Sequence, residues 1–179
     1  MKRKDRGFTL VEILVVITII TLLVSLLVVL ISSVIDKARY AKTAATVKLL
    51  DGACKAYYQD FGVYPPNSKQ DSRSLHHHLG MERKLQTVKS DMGAALVSTK
   101  PPLVEFQRDM LQEPKGGTPD PANNPVPVVD GFDQPIKYAV PGRFNKRGVD
   151  IWSSGKDGKD QLDEAAADYD DVTNWAKEY

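Results

Sequence analysis

From Phe8 to Ile35 the chain runs 28 residues with a single charge, Glu12, and from Ile13 to Ile35 it runs 23 residues with none. As an α-helix rising about 1.5 Å per residue, the uncharged part spans roughly 34 Å, enough to cross a hydrocarbon core with some tilt. Lys2, Arg3, Lys4 and Arg6 stand just before it against Asp5 alone, a net of +3. The positive-inside rule keeps that end cytoplasmic and sends everything after about Asp36 across the membrane. A cleaved secretory signal has the same outline, but this run is about twice the usual apolar length and meets no small-x-small cleavage site at its end. A carboxylate well inside a bilayer costs about 2.5 to 3.5 kcal/mol on insertion scales, and less near an interface, so Glu12 calls for a partner or a function.

Helical signals continue past the apolar run. Tyr40, Ala44, Val47, Leu50, Cys54, Tyr57 and Phe61 step by threes and fours along one stripe, and no proline interrupts from Phe8 to Asp60. One helix with a greasy first half and an amphipathic second half is expected, stopped by Gly62 and Pro65-Pro66. Its second half should pack on a globular head, with Tyr57, Tyr58, Phe61 and Tyr64 in the core.

The 179 residues suffice for one domain plus an appendage. A net charge of +1 implies no strongly basic face for nucleic acid. Cys54 is the single cysteine, which rules out an intramolecular disulfide and is expected as a small buried apolar side chain. An exported domain without a disulfide must be held by packing, a metal or neighbours.

The order Gly7-Phe8-Thr9-Leu10-Val11-Glu12, after a basic leader and before ILVVITIITLL, resembles the N-terminal signal of type IV prepilins and of type II secretion pseudopilins. The resemblance implies that a prepilin peptidase cuts between Gly7 and Phe8 and N-methylates Phe8. Loss of the leader's +3 would change the net charge from +1 to −2. Glu12, fifth in the mature chain, would pair with the new amino terminus of a neighbouring subunit during assembly. The stretch KLLDGACKAYYQDFGVYPP also resembles the pseudopilin run that ends in tyrosine, glycine and prolines.

Between Asn67 and Lys100 one or two short helices are expected, capped by Asn67 or Ser68 and stopped at Gly80. His76, His77 and His78 invite a metal or pH role, but adjacent helical side chains point about 100° apart and do not converge on one ion. Leu103 to Phe106 is a candidate strand. PKGGTPDPANNPVP, residues 114–127, holds five prolines and two glycines and is expected as an irregular surface loop, with a subunit contact as one use. No Gly-x-Ser-x-Gly, Cys/His pair or phosphate-binding glycine loop is present, so no enzyme is expected.

Val128-Val129, Ile136 to Val140 and Val149 to Trp152 are expected as short strands of a small antiparallel sheet. Asp130 to Tyr138 resembles the Asp-Pro-Trp-Gly-Asn-Pro-Tyr-x-Tyr turn of the major pseudopilin, with Asp133 in place of its glycine and Gln134 in place of its asparagine. Beyond it, seven acidic residues crowd into Asp157 to Asp171, and a compact loop of that kind demands a counter-charge such as Ca2+. An EF-hand does not fit, because its later ligand positions would fall on Lys159 and Gln161 and its glycine on Leu162. Ser153-Ser-Gly-Lys-Asp-Gly158 and Asp170-Asp-Val-Thr-Asn-Trp175 resemble the two halves of the major pseudopilin's Ca2+ site. The resemblance implies side-chain ligands from Asp157 and Asp171 and carbonyls from Ser154 and Val172. Asp160, Asp163 and Asp170 are further candidates, since residues 161–168 replace a glycine-rich segment of that family. A solvated acidic loop is the alternative.

Taken together, the fold class expected is α+β and pilin-like. Its divisions are a leader at 1–7, a transmembrane helix at 8–35, its amphipathic continuation at 36–62 and a periplasmic head at 63–179, with the Ca2+ loop at 150–175. The function expected is that of a structural pseudopilus subunit anchored in the bacterial inner membrane by a single pass. Its partners would be copies of itself, minor pseudopilins, the inner-membrane assembly platform and the prepilin peptidase. The alternatives are a type IV or competence-type pilin for adhesion or DNA uptake, and a membrane-anchored periplasmic binding protein or enzyme.

Overall fold

The computed structural model describes residues 8–67, 71–86, 97–114, 116–162 and 170–175. Helix α1 runs unbroken from Leu10 to Phe61, and two compact units meet within it at Ala38 and Arg39. The first unit holds the apolar stretch. Among its described residues the large apolar side chains from Phe8 to Ile35 are exposed, and no buried residue is found. One helix, Leu10–Leu27, is long and apolar enough to cross a membrane. The hydroxyls of Thr18, Thr21 and Ser25 donate back to the carbonyls of Leu14, Ile17 and Leu22, so their polarity is met within the helix.

In the second unit, α1 presents Thr43, Thr46, Val47, Leu50, Ala53 and Cys54 to the core. This shifts the expected stripe, because Ala44 is exposed and two threonines take its place; of the aromatics expected in the core, Tyr57 and Tyr64 pack partly buried against it, Phe61 is half-buried and Tyr58 is exposed. Gly131 explains the shift: a Cβ there would lie 2.2 Å from the Arg39 carbonyl oxygen. The turn at Gly131 therefore rides against the helix backbone, and its N–H donates to the Thr43 hydroxyl at 3.0 Å. The helix stops at Gly62, whose φ of 70° is the left-handed conformation that ends helices and that side chains resist.

Helix α2, Arg73–Gly80, buries Leu75, His76 and Leu79 against the same core. Neither Asn67 nor Ser68 caps it. Asn67 donates to the Tyr138 carbonyl, Ser68 lies outside the described residues, and Ser72 stands at the cap position with its hydroxyl turned to Val128 instead. After α2, β1 (Arg83–Gln86) pairs antiparallel with β2 (Val97–Lys100), Arg83 opposite Lys100, and residues 87–96 between them lie outside the described residues. Asp60, near the end of α1, pairs with both Arg83 and Lys100 and ties the hairpin to the helix.

The candidate strand at Leu103 to Phe106 is not formed. The N–H groups of Leu103 and Val104 both donate to the Leu79 carbonyl at the end of α2, so donors that a sheet would need close a helix instead. Val128 and Val129 likewise make only isolated bridges, to Leu111 and Pro135. The C-terminal sheet is β3 (Lys137–Ala139), β4 (Asp150–Ser153) and β5 (Val172–Thr173), antiparallel in that order, with Tyr138 opposite Ile151 and Ser153 opposite Val172. Its residues Tyr138 and Ile151 join Leu50, Leu75, Leu79, Val128 and Ile136 in a fully buried core. The architecture is α+β: an apolar N-terminal helix followed by a short helix and small antiparallel sheets.

Candidate functional site

Gly7 lies outside the described residues, and Phe8 is exposed just before α1. Thr9 and Glu12 form a reciprocal cap. The Glu12 N–H donates to Thr9 Oγ1 at 3.3 Å, while Glu12 Oε2 accepts from the Thr9 N–H at 2.8 Å and from its hydroxyl at 2.9 Å. This is the capping box of a helix start, with threonine at the cap and glutamate three residues on. It satisfies two of the donors that a helix start leaves open, and it gives the carboxylate partners within its own chain.

At the other end of the chain, β5 returns the last acidic residues to β4. Asp130, fully buried, builds the neighbouring turn: its carboxylate accepts from Phe132 N at 2.7 Å, Gln134 N at 2.9 Å and the Ser153 hydroxyl. Asp133 takes φ 62° there, so the turn keeps a left-handed residue at this position although it is not glycine.

The two acidic halves meet through backbone amides. Asp170 Oδ2 accepts from Lys156 N at 2.6 Å and Asp157 N at 3.2 Å, and Asp171 Oδ2 accepts from Gln161 N at 2.9 Å. Asp157 accepts from Lys159 N and from the Gln161 side-chain amide. A single net thus joins Asp157, Gln161, Asp170 and Asp171. Gly155 makes the crossing close, since a Cβ on it would lie 2.4 Å from the Asp170 carbonyl oxygen.

Asp160 stands apart from that net. Lys137 Nζ pairs with it at 2.6 Å, and the Ser154 hydroxyl and Trp152 Nε1 donate to it. Burial alone would raise its pKa, but these donors outweigh burial and hold it below the usual carboxylate range. Ser154 is buried, and Val172 sits opposite Ser153 in the sheet. Asp163 lies outside the described residues.

Among the described residues no group of three or more His, Cys, Asp or Glu is arranged to hold a metal ion. Amide and carbonyl oxygens also serve hard cations, and here the orphaned oxygens matter. Asp170 Oδ1, Asp171 Oδ1 and Gln161 Oε1 are buried without a hydrogen-bond partner. Burial, with Asp160, Asp170 and Asp157 adding to it against the Gln161 amide, pushes the Asp171 carboxyl above its ordinary pKa. These orphaned oxygens are of the kind a hard cation takes.

The three histidines turn to three different partners. His76, buried, accepts from Val126 N at 3.0 Å; His77 Nδ1 lies 2.6 Å from the Pro121 carbonyl; His78 meets the Tyr57 ring edge-on. The first two contacts fix the irregular stretch at Pro121 and Val126 to α2. Cys54 is buried, and burial with Asp51 beside it pushes its thiol far up, which suits packing and not chemistry.

Sequence patterns left several residues unmarked. Asn174 is one: its Oδ1 accepts from Ile151 N, and its Nδ2 donates to the Val149 carbonyl and to Asp51 on α1. The Lys137–Asp160 pair is another, and only the β3–β4 register brings it together.

Residues 2–28 match the family described as the prokaryotic N-terminal methylation motif. No curated protein and no solved structure matches the chain. The methylation motif implies processing by a prepilin peptidase and assembly into pilus-like filaments, and with one exposed apolar helix it fits a single-pass membrane-anchored protein. At its N-terminus, then, the chain carries the signature of a type IV pilin-like structural subunit.

Proposed function

We propose that this chain is a pseudopilin of the major type, a structural subunit that polymerises from the inner membrane into a type II secretion pseudopilus and helps push folded proteins across the outer membrane. The head is periplasmic and the N-terminus cytoplasmic, and the apolar helices form the filament core. Contacts between copies are head-to-tail, so they do not close and the filament grows. Minor pseudopilins and the assembly platform are its partners beside its own copies.

What carries the choice over a surface pilin is the C-terminal module. Ser153 to Gly158 and Asp170 to Trp175, the two segments that resemble the major pseudopilin's ending, are joined by the Asp170 hydrogen bonds and the Ser153–Val172 pairing. Ca2+ would be held there by Asp157, Asp170 and Asp171, with Gln161 Oε1 and main-chain carbonyls such as those of Ser154 and Val172 filling its shell. When bound it supplies positive charge to a loop that has too little of its own. Deletion of the gene in its source bacterium tests the function. Folded exoproteins should then accumulate in the periplasm while surface piliation is unchanged; lost surface pili with normal secretion would favour a type IV pilin.

A further inference from the structure

The loop Pro141–Gly148 is exposed over much of its length, yet it is tied like core. Buried Asp150 accepts from Phe144 N and Asn145 N, each at 2.9 Å. Gly148 N donates to the Asn145 carbonyl and Gly142 N to the Gly148 carbonyl. A Cβ on Gly142 would lie 2.6 Å from Asp150 Oδ1, so only glycine fits beneath the loop. Phe144 lies flat on Trp175, with ring centroids 4.5 Å apart and planes 8° apart.

None of these ties uses the loop's charges. Arg143, Lys146 and Arg147 make it +3, with no acidic residue from Pro141 to Val149. Arg143 lies over the Phe144 ring at 5.4 Å. Lys146 and Arg147 are exposed and make no ion pair or hydrogen bond among the described residues. Between this loop and α1 opens a cavity of about 560 Å³, lined also by Tyr64, Lys55 and Asp51, whose carboxylate is already taken by Lys55 and Asn174. Exposed cations at Lys146 and Arg147, carried on a tied loop beside an aromatic ring over a cavity, are the composition of a recognition surface for an acidic partner.

We propose that this loop and cavity receive the Glu105–Glu113 segment of a second copy of the chain. The inference rests on the filament reading, under which each copy must offer two different and complementary faces. Glu105 and Glu113 are exposed and make no ion pair among the described residues; the segment also holds Arg108 and Asp109, a net of −2, of which Asp109 is already paired with Lys42. This segment is also fixed in place: Leu111 is buried, and Val129 N donates to the Met110 carbonyl. The acidic stretch at 157–171 is the poorer match, because Asp160, Asp170 and Asp171 already accept from Lys137 or from backbone amides and Lys156 and Lys159 stand among them. Charge pairs of this kind set register and specificity more than raw affinity, so they would fix how one head meets the next.

Charge exchange in the full-length chain, in cells that process and assemble it, tests the proposal. Lys146→Glu with Arg147→Glu, and separately Glu105→Lys with Glu113→Lys, should each lower sheared-filament yield about tenfold, while processing and the head's melting temperature stay unchanged. All four changes together should restore most of the yield. Normal filaments from the Lys146→Glu, Arg147→Glu chain, or a fourfold variant no better than it, would overturn the docking alone. Wild-type chains that form no filaments would overturn the filament reading, and this proposal with it. A photo-crosslinker at Lys146 should recover a peptide spanning 105–113 from another copy; capture of a different protein would overturn the choice of occupant.

Discussion

Glu12 has a role before any neighbour arrives. Its carboxylate closes the capping box with Thr9, which accounts for a charge at the start of an apolar helix without a second chain. If assembly uses the same carboxylate to meet a neighbour's amino terminus, the two roles compete and separate variants resolve them. Thr9→Ala removes half the box, costs about 1 kcal/mol of helix-start stability and should leave assembly largely intact. Glu12→Ala should still insert and be processed but should give few filaments; normal filament yield from it would refute the intersubunit role. His76 makes a different prediction. Burial lowers its pKa, with His77 in the same sense and Asp120 opposing, and Val126 N–H needs the neutral ring as acceptor. A basic group held neutral contributes stability that is complete above its unfolded pKa of about 6.5 and is lost as the pH falls through the lower folded value. His78, lowered by burial and by His77, acts in the same sense. The head's melting temperature should therefore drop as buffer goes from about pH 7 to 5, and less steeply in His76→Gln, which keeps an acceptor.

Among the elements, α1 was the most legible, because a long apolar run and a three-and-four stripe leave little choice of structure. The stripe erred by one position at Ala44, where the close approach of Gly131, a tertiary contact with no local signal, buries Thr43 and Thr46 instead. The β1–β2 hairpin was not legible: β1, Arg83–Gln86, is mostly polar and does not alternate, and what anchors it is the long-range pairing of Arg83 and Lys100 with Asp60. The failed strand at Leu103 shows the same limit, since its donors were claimed by the end of α2. For the shared core, Leu50→Ala should destabilise the head by about 2 to 5 kcal/mol, since Leu50 is fully buried among residues from α2 and the C-terminal sheet. Denaturant melts of the head would read this directly; a change below about 1 kcal/mol would mean that α1 does not anchor the core.

For the whole molecule, the acidic C-terminal module was legible as a demand for positive charge, but not in its division of labour. Asp160 is neutralised from within by Lys137, which the sequence places 23 positions away, whereas Asp170 and Asp171 retain buried oxygens without partners. Ca2+ should therefore raise the melting temperature of the head, by a stabilisation of about 2.7 kcal/mol at a hundredfold excess over Kd. Asp171→Asn should abolish that gain, and Asp160→Asn should weaken it much less. No shift at millimolar Ca2+ would remove the metal from the account. The central claim remains that this is a processed filament subunit, and the mass of the chain recovered from membranes tests it most directly. The account predicts a protein that begins at Phe8 and carries one added methyl group on its amino terminus; an intact, unmethylated chain beginning at Met1 would contradict it.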